Sequence, residues 1–387
     1  MDQPTAAKPP LNPISEAPTV SVVLPALNER EALPSVIADL RRNVGECEII
    51  VVDDGSSDGT AETAEALNCI VVRHGRNKGK GAALRSGFAA ATGEFIICMD
   101  ADATYPADAV AEMAKLLEDH DYVRADRVID ESNTPRVNRI GNMAMGRILK
   151  TLHGLGPGDH LSGLYGFRSD VFEELATEAS GFDIEVEIGI KVKERGLRVA
   201  TMPISYHPRI GDKKLNPFRD GARILGRILR LLLVYRPLLL FGLPGLILTV
   251  VSIVAAIALA GGPIITGYLG LSIHTFIVSS LGILAGFQLL TFGIAGAVYR
   301  RHLGFAVTPV LDKITSSTVR TGAALVGLAI TAVCGIWLAI TIAGWIISGG
   351  PEFTATRSLV LTATGAVFGL QLLSAALFIT LVADRTA

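Results

Sequence analysis

At 387 residues the chain has room for about two to three units of ordinary domain size. Its 50% hydrophobic content and mean hydropathy of +0.44 are too high for a wholly soluble protein. The net charge of −2 says little, because the charge is confined to one part of the chain, and no nucleic-acid partner is expected. Cys47, Cys69, Cys98 and Cys334 show no paired spacing, which excludes a cysteine metal site and leaves reduced apolar thiols.

Residues 1–18 are polar and Pro-rich, which predicts a disordered tail and no cleavable signal peptide. VSVVLP (Val20 to Pro25) is a short apolar run, followed by a helical pattern from about Glu29 to Arg42. EIIVVD (Glu48 to Asp53) is the next strand, and Ser57-Asp58 suit the N-cap of the helix after it. CIVVR (Cys69 to Arg73) precedes a Gly-rich turn and a helix from about Gly81 to Ala91. EFIICMD is a fourth strand, a helix starts near Pro106, and DYVRA (Asp121 to Ala125) is a fifth strand. This βαβ rhythm of continuous apolar strands predicts an α/β fold with a parallel sheet covered on both faces. Ligands of such sheets bind beyond the carboxyl ends of the strands. Asn28, Asp53-Asp54 and Asp100-Asp102 all fall there.

FIICMDADATYP (Phe95 to Pro106) runs from a buried apolar strand straight into Asp100 and Asp102. Two carboxylates in that place are costly unless they are solvated or hold a cation. One residue apart at a strand end, they can share a hard divalent ion with a diphosphate. Taken alone, the pair also fits a solvated acidic loop. NKGKG (Asn77 to Gly81) lacks the Walker spacing and reads as a close-approach turn opening a helix, with Lys80 able to reach a diphosphate.

After Ala125 the pattern loosens into a helix from about Arg136 to Leu152, the segment GDHLSGLYGFR (Gly158 to Arg168), and a helix ending at Gly196. The catalytic domain is expected over 19–212. Residues 213–236 are basic and amphipathic, with Arg219, Arg223, Arg227 and Arg230 interleaved with Ile224, Leu225, Ile228 and Leu229. That stripe predicts a helix in a membrane interface, its arginines toward lipid phosphates. No Asp, Glu, Lys or Arg occurs between Arg236 and Arg300, Arg320 and Glu352, or Arg357 and Asp384. These gaps predict an all-α domain over 237–383 with four transmembrane helices, at about 237–260, 274–299, 321–347 and 358–382. Arg227, Arg230 and Arg236 precede the first span, and Arg300, Arg301, Lys313 and Arg320 separate the second from the third. The positive-inside rule then puts the N-terminal domain, the middle loop and both termini of an integral membrane protein in the cytoplasm. The spans show no internal repeat beyond a pairing into two hairpins.

Over roughly Thr19 to Leu215, VVLPALNE, IVVDDGSSDGT, GRNKGKGAALRSG, MDADATYP, DHLSGLYGFR and HPRIGDKKL follow one another in that order. With these motifs the chain resembles the inverting glycosyltransferase family 2 and its GT-A fold, a Rossmann-like, mostly parallel sheet. More narrowly, it is similar to the polyprenyl-phosphate sugar synthases, namely the dolichyl-phosphate mannose and glucose synthases and their bacterial relatives. The resemblance implies that Pro25, Asn28 and Glu29 lie near the nucleotide. Of Asp53 and Asp54, one, with Asp54 preferred, would accept hydrogen bonds from base or ribose. Asp100 and Asp102 resemble the acids that hold Mg²⁺ or Mn²⁺. Many relatives have a Gln ligand where this chain has Thr104, whose hydroxyl or a water would substitute. Asp159 and Ser162-Gly163 match a D-x-x-S-G segment near the reacting sugar, and Glu187 matches a family acid in the following helix, with Glu185 where several relatives have Gln. Arg127, Arg136, Arg139, Arg209 and Lys213 are the cations for an acceptor phosphate, arginine being suited by its bidentate fork.

The implied reaction is inverting transfer of a hexose from a nucleotide sugar, UDP-glucose or GDP-mannose, to polyprenyl (dolichyl or undecaprenyl) phosphate. Asp102, Asp159 and Glu187 are its catalytic acids, and a homo-oligomer is compatible with it. A processive polysaccharide synthase would carry a Q-x-x-R-W element, but Trp337 and Trp345 both lie in the third span. A lipid-linked sugar transporter or scaffold would need intramembrane charge. The spans offer only His274, Gln288 and Gln371, which suits an anchor better.

Overall fold

The structure is a computed structural model and describes residues 19–128, 136–175, 177–211, 214, 217–266, 269–303, 305, 308–348 and 356–383. The expected tail over 1–18, Lys213 and the C-terminal Ala387 lie outside the described residues. Two compact units divide the chain, Met1–Arg147 with Leu155–Arg227, and Ile148–Gly154 with Ile228–Ala387.

The first unit is built on seven strands: β1 (Val20–Ala26), β2 (Glu48–Asp53), β3 (Ile70–Arg73), β4 (Phe95–Cys98), β5 (Tyr122–Val128), β6 (Tyr165–Arg168) and β7 (Val199–Ser205). They lie in the order β3-β2-β1-β4-β6-β5-β7, parallel except for β6, which runs antiparallel to both its neighbours. The five expected strands all form. β6 and β7 add to them: β6 has four residues, too few to display a period, and β7 alternates in exposure. The helices are α1 (Leu33–Val44), α2 (Thr60–Ala66), α3 (Lys80–Ala90), α4 (Asp108–Asp119), α5 (Arg136–His153), α6 (Ser169–Leu175) and α7 (Ile184–Glu194). Successive β1 side chains serve opposite faces: Val22 and Leu24 join a core with Leu33, Ile97 and Met113, and Val23 joins one with Ile50, Leu84 and Phe167. Both faces are therefore dry, and the apolar runs are continuous. From β1 the chain builds outward through β2 and β3, then returns to place β4 on the other side of β1. The crevice beyond the carboxyl ends of β1 and β4 is thus the switch point where such sheets take ligands.

Helix α8 (Pro217–Tyr235) carries the arginine stripe. Arg219, Arg223 and Arg230 are exposed on it beside Leu225 and Leu229. Arg227 departs from the expected stripe: it turns inward to Asp183 at 3.0 Å and lies 3.8 Å from Glu187.

In the second unit come α9 (Leu243–Ala260), entered through a π-helical turn over Leu238–Gly242, then a short strand pair, β8 (Ile264–Thr266) and β9 (Leu269–Leu271). Helices α10 (Ile273–Tyr299), α11 (Pro309–Ile314), α12 (Ser317–Ile347) and α13 (Thr356–Ala383) follow. Among the described residues four helices are long and apolar enough to cross a membrane: Leu238–Ala260, Ile273–Tyr299, Ser317–Ile347 and Thr356–Ala383. They pair as α9 with α10 and α12 with α13, and the two pairs share one interface chemistry. Gly245, Thr249 and Ser252 of α9 have the spacing of Gly327, Thr331 and Cys334 of α12. Gly282, Gly286 and Gln288 of α10 have that of Gly365, Gly369 and Gln371 of α13. A Cβ on Gly286 would lie 2.6 Å from the Thr249 amide nitrogen, and one on Gly369 would lie 2.6 Å from that of Thr331. Each threonine hydroxyl donates to the carbonyl of the glycine four residues earlier at 2.8 Å. Small residues here let helix backbones touch, the usual means of association where lipid removes the hydrophobic drive. The two hairpins are a structural repeat, legible residue by residue only once the contacts are known.

Candidate active site

Beyond β4 the chain turns through Asp100, Ala101, Asp102 and Ala103. Ala103 has φ +61°, a left-handed conformation that costs an alanine roughly 1–2 kcal/mol. The turn brings the amide and hydroxyl of Thr104 onto Asp102 Oδ1, at 3.1 and 2.6 Å. Thr104 is buried, and its hydroxyl proton is engaged in holding Asp102. Arg209 Nη1 donates to Asp102 Oδ2 at 2.8 Å, and its other terminal nitrogen is paired with Glu29. The stretch carrying Arg209 is stitched over the turn by His207 N to Thr104 O at 2.9 Å and Ile210 N to Asp102 O at 3.1 Å. Burial, then the charge of Asp100, raises the Asp102 carboxyl above its ordinary value, with Thr104 and Arg209 opposing. Burial pushes Glu29 up to about 7 against the pull of Arg209.

Asp100 is the more open acid. Lys80 Nζ lies 2.6 Å from its Oδ1 and 2.7 Å from Glu185 Oε1. Burial works against the Lys80 charge, but Asp100 and then Glu185 outweigh it and hold the amine well above its usual range. Glu185 is raised, by burial first, with Lys80 offsetting part of the cost. Gly163 explains the D-x-x-S-G segment. A Cβ there would sit 2.8 Å from the Asp100 carboxyl carbon, so a larger residue would displace the Asp100 carboxylate. Its amide donates to the Tyr105 hydroxyl at 2.7 Å.

Two residues from Glu185, Glu187 points elsewhere, as helical geometry requires. It accepts from the amides of Glu178 at 3.1 Å and Ala179 at 2.7 Å, and Lys191 pairs with it at 2.8 Å. Burial alone would raise its carboxyl, but Lys191 and those amides bring it below the ordinary value. The segment it holds is the one against which the Gly-rich loop presses. Gly81 N donates to Ser180 O at 2.9 Å, and Gly79, at φ +95°, has no room for a side chain against that same carbonyl. Glu187 therefore supports the mount of Lys80, and Glu185 faces it. The sequence marked Glu185 only by its position.

At the end of β1, Pro25 pairs with Val52, and Asn28 (φ +51°) accepts from Ser57 N at 2.9 Å while its own amide donates to Ser56 Oγ at 2.9 Å. Asp53 Oδ1 accepts from Ser56 N at 2.9 Å. Both Asp54 oxygens accept: Oδ1 takes His74 Nδ1 at 2.7 Å and Lys78 N at 2.9 Å, and Oδ2 takes Gly79 N at 2.8 Å.

Arg127 grips Asp159 through Nε and, at 3.1 Å, through Nη2, and stacks 5.2 Å from the Tyr206 ring. Asp126 accepts from the Asp159 amide at 2.9 Å and from Arg124 Nε at 3.0 Å. The side chains of Arg136 and Arg139, and all of Lys213, lie outside the described residues.

Among the described residues no three His, Cys, Asp or Glu side chains cluster as a metal cage. Two carboxylates at one turn are the donor set a Mg²⁺ or Mn²⁺ ion uses when water and substrate phosphates supply the other ligands, so Asp100 and Asp102 fit a cation shared with a diphosphate.

The profile described as Glycosyl transferase family 2 matches residues 21–175, which hold β1 to β6, the Gly-rich loop and both acids of the β4 turn. Glycosyltransferase AglJ of Haloferax volcanii is 34% identical over 282 residues, covering 71% of this chain and 91% of that protein. Low-salt glycan biosynthesis hexosyltransferase Agl6 of the same organism is 30% identical over 369 residues, or 92% of this chain and 87% of that one. Dolichyl-phosphate hexose transferase, also from Haloferax volcanii, is 34% identical over 209 residues, 53% of this chain and 90% of that protein. Since the likeness runs nearly the full length of these relatives and the profile covers the strand-end acids, the chain belongs to glycosyl transferase family 2 and is a glycosyltransferase.

Proposed function

We propose that this glycosyltransferase moves a hexose, with inversion, from a nucleotide-diphosphate sugar to polyprenyl phosphate at the cytoplasmic face of a membrane. The observation that carries the reading is Lys80 meeting Asp100 at the same strand-end turn that holds Asp102, in a chain with four membrane-length helices. The likeness to a relative named for dolichyl-phosphate hexose transfer supports the acceptor class.

Asp100 and Asp102 would hold Mg²⁺ or Mn²⁺, which when bound supplies positive charge to the leaving diphosphate. Lys80 supplies a second positive charge from the protein. Asp53, with one oxygen free of hydrogen bonds among the described residues, is the better partner for ribose or base than Asp54. Pro25, Asn28 and Glu29 shape the nucleotide side. A phosphate oxyanion needs no base to become a nucleophile, so the site's task is orientation and charge. Asp159 holds the Arg127 fork, and Arg127, Arg136, Arg139, Arg209 and Lys213 are the candidate cations for the lipid phosphate. UDP-glucose and GDP-mannose are the donors to try first.

Membranes containing the protein should be incubated with a panel of radiolabelled nucleotide sugars and polyprenyl phosphate, then extracted for lipid. Label in a mild-acid-labile lipid is expected with one donor. Label in polymer, or in no lipid with any donor, overturns the reading.

A further inference from the structure

The loop that delivers Lys80 runs from the end of β3 to the start of α3 and contains Gly75 and Gly79, so it has little stiffness of its own. A buried side-chain clamp holds it. The three N–H groups on Asp54 include the amides of Lys78 and Gly79, the two residues just before Lys80. The third comes from His74, at the loop's other end. On the other side of the ring, His74 Nε2 lies 2.9 Å from the Ser86 hydroxyl. Ser86 belongs to α3, the helix that Lys80 opens. The Asp54 and His74 side chains are 5% and 4% exposed, so water does not compete for these bonds.

We infer that Asp54 and His74 are positioning residues, tying the loop to β2 on one side and α3 on the other so that the Lys80 ammonium meets the donor diphosphate beside Asp100. This rests on the reading of Lys80 given above. It also gives the second acid of the Asp53-Asp54 pair a role, because its two oxygens accept the three N–H groups that fix the loop.

A double-mutant cycle tests it, because residues that act only through Lys80 lose their effect once Lys80 is gone. Full-length wild type, His74→Ala, Lys80→Ala and the double variant are titrated calorimetrically with UDP and with GDP in Mg²⁺, and melting temperatures are recorded. Each single change is expected to weaken the diphosphate that binds by about tenfold, with the double no weaker than Lys80→Ala alone. His74→Asn, which keeps an N–H for Asp54, should recover most of the loss. Ser86→Ala, a minimal change at the far end of the clamp, carries the same cycle if His74→Ala does not fold, with a smaller loss that vanishes in the Lys80→Ala background. Losses that add in the double variants, or His74→Ala binding like wild type, overturn the clamp. A wild type that binds neither diphosphate overturns the donor reading itself.

Discussion

At the scale of single residues, Asp102 is where the site's bonds converge: Thr104 from its own turn and Arg209 from a distant stretch. Asp102→Ala should abolish transfer without unfolding the protein, since the diphosphate charge would be left unneutralised. Lipid-product assays beside circular dichroism check this, and full activity in Mg²⁺ or Mn²⁺ would remove Asp102 from the cation site. EDTA should reproduce the loss and added metal reverse it. Arg209 is a separate case, because its terminal nitrogens already span Glu29 and Asp102. Arg209→Ala should raise the requirement for polyprenyl phosphate roughly ten- to hundredfold, with a much smaller effect on nucleotide sugar. Lysine should restore only part, as one ammonium lacks the bidentate fork. A change confined to nucleotide-sugar KM would assign Arg209 to the donor instead. Which bonds Asp102 and Arg209 make was not legible in the sequence, where they stand far apart; only their charge and motif membership were.

At the scale of elements, α3 and α7 show how helices aim chemistry. Lys80 is the first residue of α3, and Glu185 and Glu187 leave α7 in different directions. The membrane helices show the complementary case, in which glycine matters for what it lacks. Gly369→Leu should force α13 away from Thr331 of α12 and cost about 1–3 kcal/mol, the range for overpacking a tight contact. Gly322→Leu, also on α12 but with nothing within 4 Å of its Cβ position, is the control and should leave the melting temperature in detergent unchanged. Equal effects of the two substitutions would mean that the α12–α13 interface is not built on that glycine.

For the whole molecule, the placement of basic residues governs orientation. Arg300, Arg301 and Lys313 lie between the second and third membrane-length helices and Arg320 in the first turn of the third, while the stretches between the first and second and between the third and fourth carry almost no basic charge. The positive-inside rule therefore predicts both termini and the middle stretch on the cytoplasmic side. A membrane-impermeant label reaching a cysteine introduced at Ala387 only after permeabilisation would agree. Labelling of intact cells at that position would reverse the orientation.

The first five strand positions, the acids at strand ends and the four apolar helices were determined by the sequence itself, because each is written in local quantities: continuous apolar runs, i to i+2 spacing and long charge-free stretches. Tertiary structure alone decided that Glu185 and not Glu187 faces Lys80, that Asp54 is enclosed by its own loop, and that Gly163 lies against Asp100. It also decided that the two hairpins share an interface. Each of these depends on which distant segment packs against a side chain. Long-range packing leaves no periodic trace in the chain, and a carboxylate bound to a loop amide reads the same in sequence as one bound to a ligand.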